Sequence, residues 1–291
     1  MISSGEIAID HSKPLVTKCP TMPSSREITG PFPAQDLTGR VAVVTGSSRG
    51  VGAALALELA RGGADVLVHG WQSEDAAAEI VQQIQQQGCQ AKFIKADLAT
   101  REGYEPFVEA AWQWQQGVDI WINNAGVDVL TGTRAEDSFE EKLDQLWRVD
   151  VLGTIGLSRL VGQRMREVAD PGNPPVILNV GWDQAERGMG GDSGEMFAAI
   201  KGAVMAFSRS LAQSLAPEVR VNCLAPGWIK TAWGEQASAA WQERAVGEAL
   251  LQRWGTPQDV ATVARFLASP AAAFVTGQVI PINGGFRYEH H

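Results

Sequence analysis

Val41-Ala42-Val43-Val44-Thr45-Gly46-Ser47-Ser48-Arg49-Gly50-Val51-Gly52 is the stretch on which the fold turns. Its first residues are apolar and mostly β-branched, which suits a short buried strand. Glycines at 46, 50 and 52 then interrupt the run, and alanines and leucines at helical spacing follow up to Arg61. A strand that breaks at a glycine-rich turn and feeds a helix points the helix N-terminus at the space above the strand. Free N–H groups and the helix dipole favour an anion there.

Working outward, the same alternation repeats. Short apolar runs at 41–45, 65–69, 91–96, 118–122, 175–180, 219–224 and 278–282 read as strands. Helical patterns fill 50–61, 75–87, 105–116, 139–165, 196–216 and 259–268. Strands of this length separated by helices make βαβ units with right-handed crossovers. The expected architecture is α/β: a doubly wound, parallel, seven-stranded sheet in three layers, α/β/α. Residues 1–36 hold Pro14, Pro20, Pro23, Pro31 and Pro33 and read as an irregular extension. Residues 37–291 read as one domain. Within it, 228–254 carries Trp228, Trp233, Trp241 and Trp254 among small residues, as expected of a mobile, aromatic-lined lid over a substrate.

A net charge of −9 over 291 residues argues against nucleic acid or an anionic membrane as partner, since both call for basic patches. No apolar run approaches the roughly 20 residues of a membrane span. Residues 1–10 lack a basic stretch followed by an apolar one, and Cys19, Cys89 and Cys223 are odd in number and far apart. Free thiols and a cytoplasmic location are the expectation. His11, His69, His290 and His291 have no zinc-like spacing, so no metal is expected.

Further motifs follow the glycine turn in order: Asp97-Leu98 after the third strand, Asn123-Asn124-Ala125-Gly126 after the fourth, then Lys201, Pro226-Gly227 with Thr231, and Asn283-Gly284-Gly285. Together they resemble the short-chain dehydrogenase/reductase family over about residues 38–287. The resemblance implies a Rossmann fold, an NAD(P) cofactor, hydride chemistry on a carbonyl or alcohol, a small-molecule substrate and a dimer or tetramer. It implies cofactor contacts from Gly46, Ser48, Arg49, Gly50, Val51 and Gly52, from Asp97 and Leu98 at the adenine, and from Asn124, Ala125 and Gly126. Lys201, Pro226, Gly227, Ile229 and Thr231 would lie beside the nicotinamide. NADP(H) is the expected cofactor, with NAD(H) possible. No acid follows the second strand until Glu74, while Arg49 and His69 are placed to meet a 2′-phosphate.

The catalytic positions depart from the pattern. The family's YxxxK reads Phe197-Ala198-Ala199-Ile200-Lys201 here, and phenylalanine cannot exchange a proton. Counting from the fifth strand puts Gly181 or Trp182 at the serine position, and counting back from Lys201 reaches Gln184. Asp150 stands where the family has an asparagine. Two candidates could supply the proton instead. Asp183 could stay neutral in a dry pocket walled by Trp182, Met189, Met196 and Phe197. Lys201 could itself act, kept charged if Asp150 approaches it. Tyr104 sits at the start of the third crossover helix, far from the site, and Tyr288, near the C-terminus, could reach a partner's site in a tetramer like the family's. Three readings stand: an NADP(H)-dependent oxidoreductase with a rebuilt acid, a dinucleotide-binding pseudoenzyme, or a lyase-like enzyme on the same fold. Aromatic lining favours an apolar or ring-bearing substrate.

Overall fold

The structure is a computed structural model that describes residues 36–170 and 172–287. The expected irregular extension, Tyr288 and the terminal histidines fall outside the described residues, apart from Asp36. Seven parallel strands are β1 (Val41–Val44), β2 (Asp65–Gly70), β3 (Ala91–Lys95), β4 (Ile120–Asn123), β5 (Val176–Val180), β6 (Arg220–Pro226) and β7 (Val279–Ile282). Their order is β3-β2-β1-β4-β5-β6-β7. The chain fills one side of β1, then crosses to β4 and fills the other. This reversal opens a crevice above the carboxyl ends of β1 and β4, where doubly wound sheets bind ligands.

Nine α-helices occur among the described residues: α1 (Gly50–Arg61), α2 (Glu74–Gln86), α3 (Tyr104–Gln115), α4 (Phe139–Leu146), α5 (Thr154–Glu167), α6 (Asp192–Leu215), α7 (Ala232–Gln236), α8 (Ala239–Glu248) and α9 (Pro257–Ala268). Leu55, Leu59, Ile84 and Leu267 build the core on one face of the sheet. Phe107, Trp121, Leu157 and Met165 build it on the other. Alternate residues of β1 serve both: Ala42 and Val44 face the first core, Val41 and Val43 the second. A third cluster of Val129, Leu146, Val151, Met196, Ile200 and Val204, with Phe197 against it, floors the region around α6.

One expected element differs. The helical stretch 139–165 is not uniformly α-helical, because Trp147–Gly153 winds as a π-helix between α4 and α5. An extra residue per turn leaves the apolar stripe nearly intact, so periodicity does not betray it. π-turns cluster at functional sites, and this one carries the buried Asp150. The aromatic segment 228–254 holds two short helices, α7 and α8.

Candidate active site

At two positions the turn after β1 leaves no room for anything larger than glycine. Gly46 has φ +63°, and a Cβ on it would lie 2.8 Å from the Ala125 Cα. A Cβ on Gly52 would lie 2.1 Å from the Gly46 carbonyl oxygen and 2.5 Å from the Asn124 amide. Gly50, at φ +57°, meets only the Thr231 methyl at 3.9 Å, so the space beside it stays open. The Thr45 hydroxyl accepts from the backbone N–H groups of Asn124 (3.0 Å) and Ala125 (2.9 Å). The Asn124 amide donates to the carbonyls of Thr45 (3.0 Å) and Gly46 (3.1 Å). The ends of β1 and β4 are thus locked together around an open glycine cradle. Such a cradle fits the pyrophosphate of a dinucleotide.

His69 corrects an expectation. It is buried, and both ring nitrogens are in use. Nδ1 accepts from the Gly46 N–H (3.0 Å), and Nε2 lies 3.1 Å from the Ala96 carbonyl, to which it donates in that tautomer. Burial holds its pKa down at about 4, so the ring is neutral and fixed. It braces the glycine turn and is not free to meet a 2′-phosphate. A histidine inside an apolar strand was the available signal for burial. Arg49 is exposed and donates to the Ser73 hydroxyl across the mouth of β2. The first acid beyond β2, Glu74, is paired with Lys95 at 2.7 Å.

Across the crevice, α6 places Phe197 and Lys201 one turn apart on one face. Lys201 Nζ donates to Asp150 Oδ2 at 2.8 Å and approaches the Val180 carbonyl at 3.5 Å. Asp150 Oδ1 accepts from the Val127 N–H at 3.0 Å. A Cβ on Gly126 would lie 2.8 Å from Asp150 Oδ2, so this glycine makes room for the carboxylate. Trp182 meets Phe197 edge to face, with ring centroids 6.2 Å apart. The structure therefore brings Asp150, Trp182, Phe197 and Lys201 together. The two rings offer no hydroxyl, so none of the four side chains supplies the hydroxyl of a tyrosine or serine.

Asp183 goes elsewhere. It is buried between the ends of β5, β6 and β7, with Oδ2 accepting from Asn283 (2.9 Å) and 3.9 Å from Arg187. Oδ1 is buried with no hydrogen-bond partner. Burial pushes this carboxyl above the ordinary carboxylate range. Its partners are Asn283 and Arg187, not Lys201 or Phe197. Its neighbour Gln184 donates to Glu248 (3.3 Å), which also accepts from the Trp228 indole N–H (2.7 Å) and pairs with Arg244 (2.6 Å). Glu248 is the residue that sequence reading missed, and its i,i+4 spacing from Arg244 was the visible hint. Trp228, Trp233, Trp241 and Trp254 form one cluster, with Trp228 5.3–6.3 Å from the other three. Tyr104 is buried, donates to the Leu98 carbonyl at 3.4 Å and takes no part in the site.

The strand order, the glycine cradle at the β1–β4 crevice and a lysine opposite it define an α/β dinucleotide-binding protein. A family model described as enoyl-(acyl carrier protein) reductase matches residues 46–287. The 3-oxoacyl-[acyl-carrier-protein] reductase of Aquifex aeolicus is 32% identical over 258 residues, covering 86% of this chain and 98% of its own. A short chain dehydrogenase from Burkholderia cenocepacia, solved with NADP, superposes with TM-score 0.77 at 29% identity, covering 86% of this chain and 98% of that one. A 7α-hydroxysteroid dehydrogenase solved with NADH gives TM-score 0.77 at 29% identity over 86% and 95%. The chain belongs to the short-chain dehydrogenase/reductase family of oxidoreductases.

Proposed function

We propose that the protein is an NADP(H)-dependent reductase acting by hydride transfer on a carbon–oxygen or carbon–nitrogen double bond in a small apolar or ring-bearing substrate. The observation that carries this reading is the Lys201–Asp150 pair, 2.8 Å apart and opposite an intact glycine cradle. A protein that had lost all chemistry would have no need to keep a carboxylate buried against a lysine at that place, because burying a charge is costly. When bound, the nicotinamide supplies the hydride. Gly46, Ser48, Arg49, Gly50, Val51 and Gly52 would hold the pyrophosphate side. Asp97, Leu98, Asn124, Ala125 and Gly126 would line the adenosine side and the floor of the crevice, with Lys201, Pro226, Gly227, Ile229 and Thr231 near the nicotinamide.

Arg49 beside Ser73, with Glu74 already engaged by Lys95, supports preference for a 2′-phosphate over a bare ribose. Lys201 would orient the ribose and offer a proton, while Asp150 fixes its position. Trp182 and Phe197 exclude water from the reacting face. Asp183 holds the segment after β7 through Asn283 and does not act as an acid. The domain runs from residue 37, works as a dimer or tetramer and resides in the cytoplasm. Among the described residues no helix is long and apolar enough to cross a membrane.

Calorimetry with NADPH and NADH, followed by consumption of the reduced cofactor against ketones, imines and quinones, tests the reading. Tighter binding of NADPH, and turnover that collapses in Lys201→Met, are expected. Tight binding with no consumption against any acceptor would overturn it in favour of a binding protein.

A further inference from the structure

We propose that the cleft beside Lys201 takes a cationic substrate, an iminium, in which a carbon–nitrogen double bond is charged by protonation or alkylation. This rests on the hydride-transfer reading above and narrows its substrate class. Three replacements point the same way.

The first is Phe197. A carbonyl that receives a hydride becomes an alkoxide and needs an acid close by. An iminium that receives a hydride becomes a neutral amine. The new C–H bond forms at carbon, and the carbon–nitrogen π pair becomes the nitrogen lone pair. The two electrons come from a reduced nicotinamide dinucleotide, which is oxidised, and no proton enters. A site for this reaction has no use for a phenol at position 197.

The second is Trp182. An iminium has no oxygen for a hydroxyl to orient, but its charge is attracted to an aromatic face. Trp182 and Phe197 stand edge to face, with ring centroids 6.2 Å apart, and Phe197 lies one turn from Lys201 on α6. The third is Asp150. An unpaired Lys201 ammonium would repel a cation brought within a few ångströms. The carboxylate at 2.8 Å cancels that charge, and the Val127 N–H holds it in place. A neutral ketone gains from none of these changes and loses two hydroxyl contacts.

The test uses a matched pair on one bicyclic frame: N-methyl-3,4-dihydroisoquinolinium, permanently charged, and 1-tetralone, neutral. Binding is read from tryptophan fluorescence with the protein loaded with 1,4,5,6-tetrahydro-NADP, whose nicotinamide ring is neutral and cannot give up a hydride, and turnover from consumption of NADPH. The iminium should bind about tenfold more tightly than the ketone, as a desolvated cation–π contact allows. Its reduction should be flat from about pH 6 to 9, since no proton is transferred. Asp150→Asn should weaken iminium binding about tenfold more than ketone binding. Phe197→Tyr should shift turnover towards the ketone. Equal or tighter binding of tetralone, or a bell-shaped pH profile for the iminium, overturns the proposal, and both are read on the unaltered protein. Reduction of tetralone or menadione without reduction of the iminium also overturns it and leaves hydride transfer standing. Consumption of NADPH with none of the three removes the hydride-transfer reading as well.

Discussion

The two banks of the crevice have been treated differently. On the β1 side, the polar groups that shape the turn bond to one another and to their neighbours. Gly46 bonds to His69, Thr45 to Asn124 and Ala125, and Asn124 back to Thr45 and Gly46. On the α6 side the family's frame persists, but the groups on it have changed: rings at 182 and 197, and a carboxylate at 150 facing Lys201. A bank that must fit a fixed cofactor has little freedom, because glycines at 46 and 52 touch backbone that cannot move. A bank that meets a substrate can be rebuilt as long as the helix and strand that carry it stay packed.

The sharpest way to break this contrast is at the rigid bank. Gly52→Ala forces a Cβ against the Gly46 carbonyl, and NADPH affinity should fall by at least about a hundredfold, equal to about 3 kcal/mol. Calorimetry checks this, and retained affinity would mean the turn is softer than its contacts imply. On the other bank, Lys201→Met leaves Asp150 buried and unpaired. Unfolding in urea should show a loss of about 3–5 kcal/mol. The double variant with Asp150→Asn should recover most of it, whereas additive losses would deny the coupling.

His69 gives the next effect. Its folded pKa of about 4 lies below its unfolded value of 6.5. The unfolded chain therefore takes up the proton first. The stabilisation is complete above 6.5 and disappears as pH falls towards 4, a loss of about 3 kcal/mol. His69→Asn should flatten that part of the stability–pH curve relative to the unaltered protein. A parallel curve would mean the ring is not held neutral. Asp183 runs the other way. Its folded carboxyl sits above the ordinary 3.8, so ionising it costs stability as pH rises from there. Asp183→Asn should remove that decline and leave reductase activity largely intact. Collapse of activity at unchanged stability would restore Asp183 as the acid. Phe197→Tyr is the smallest change, within about 1 kcal/mol of stability, since the edge-to-face contact with Trp182 survives.

Most of the fold was legible because its signals are local. Valine-rich strands, glycine turns and helical stripes each announce themselves within about ten residues. The pairing of Asp150 with Lys201 was also within reach, since a carboxylate and a lysine at two family positions had to meet if the frame held. What was not legible depended on direction. Asp183 follows Trp182 by one residue, and only the extended backbone at 182 decides that one side chain faces Phe197 and the next faces Asn283. The π-turn around Asp150 hides inside an unbroken apolar stripe. His69 could have been a surface donor or a buried brace, and the choice rests on which way β2 alternates against β3.

Hydride transfer at the rebuilt bank is open to direct measurement. NADPH deuterated at the transferred position, mixed in single turnover with the best acceptor found, tests it most directly. A normal primary isotope effect on cofactor oxidation is expected, with loss of that oxidation in Lys201→Met. Cofactor that binds tightly yet is never oxidised, or is oxidised with no isotope effect and equally well by Lys201→Met, would contradict it.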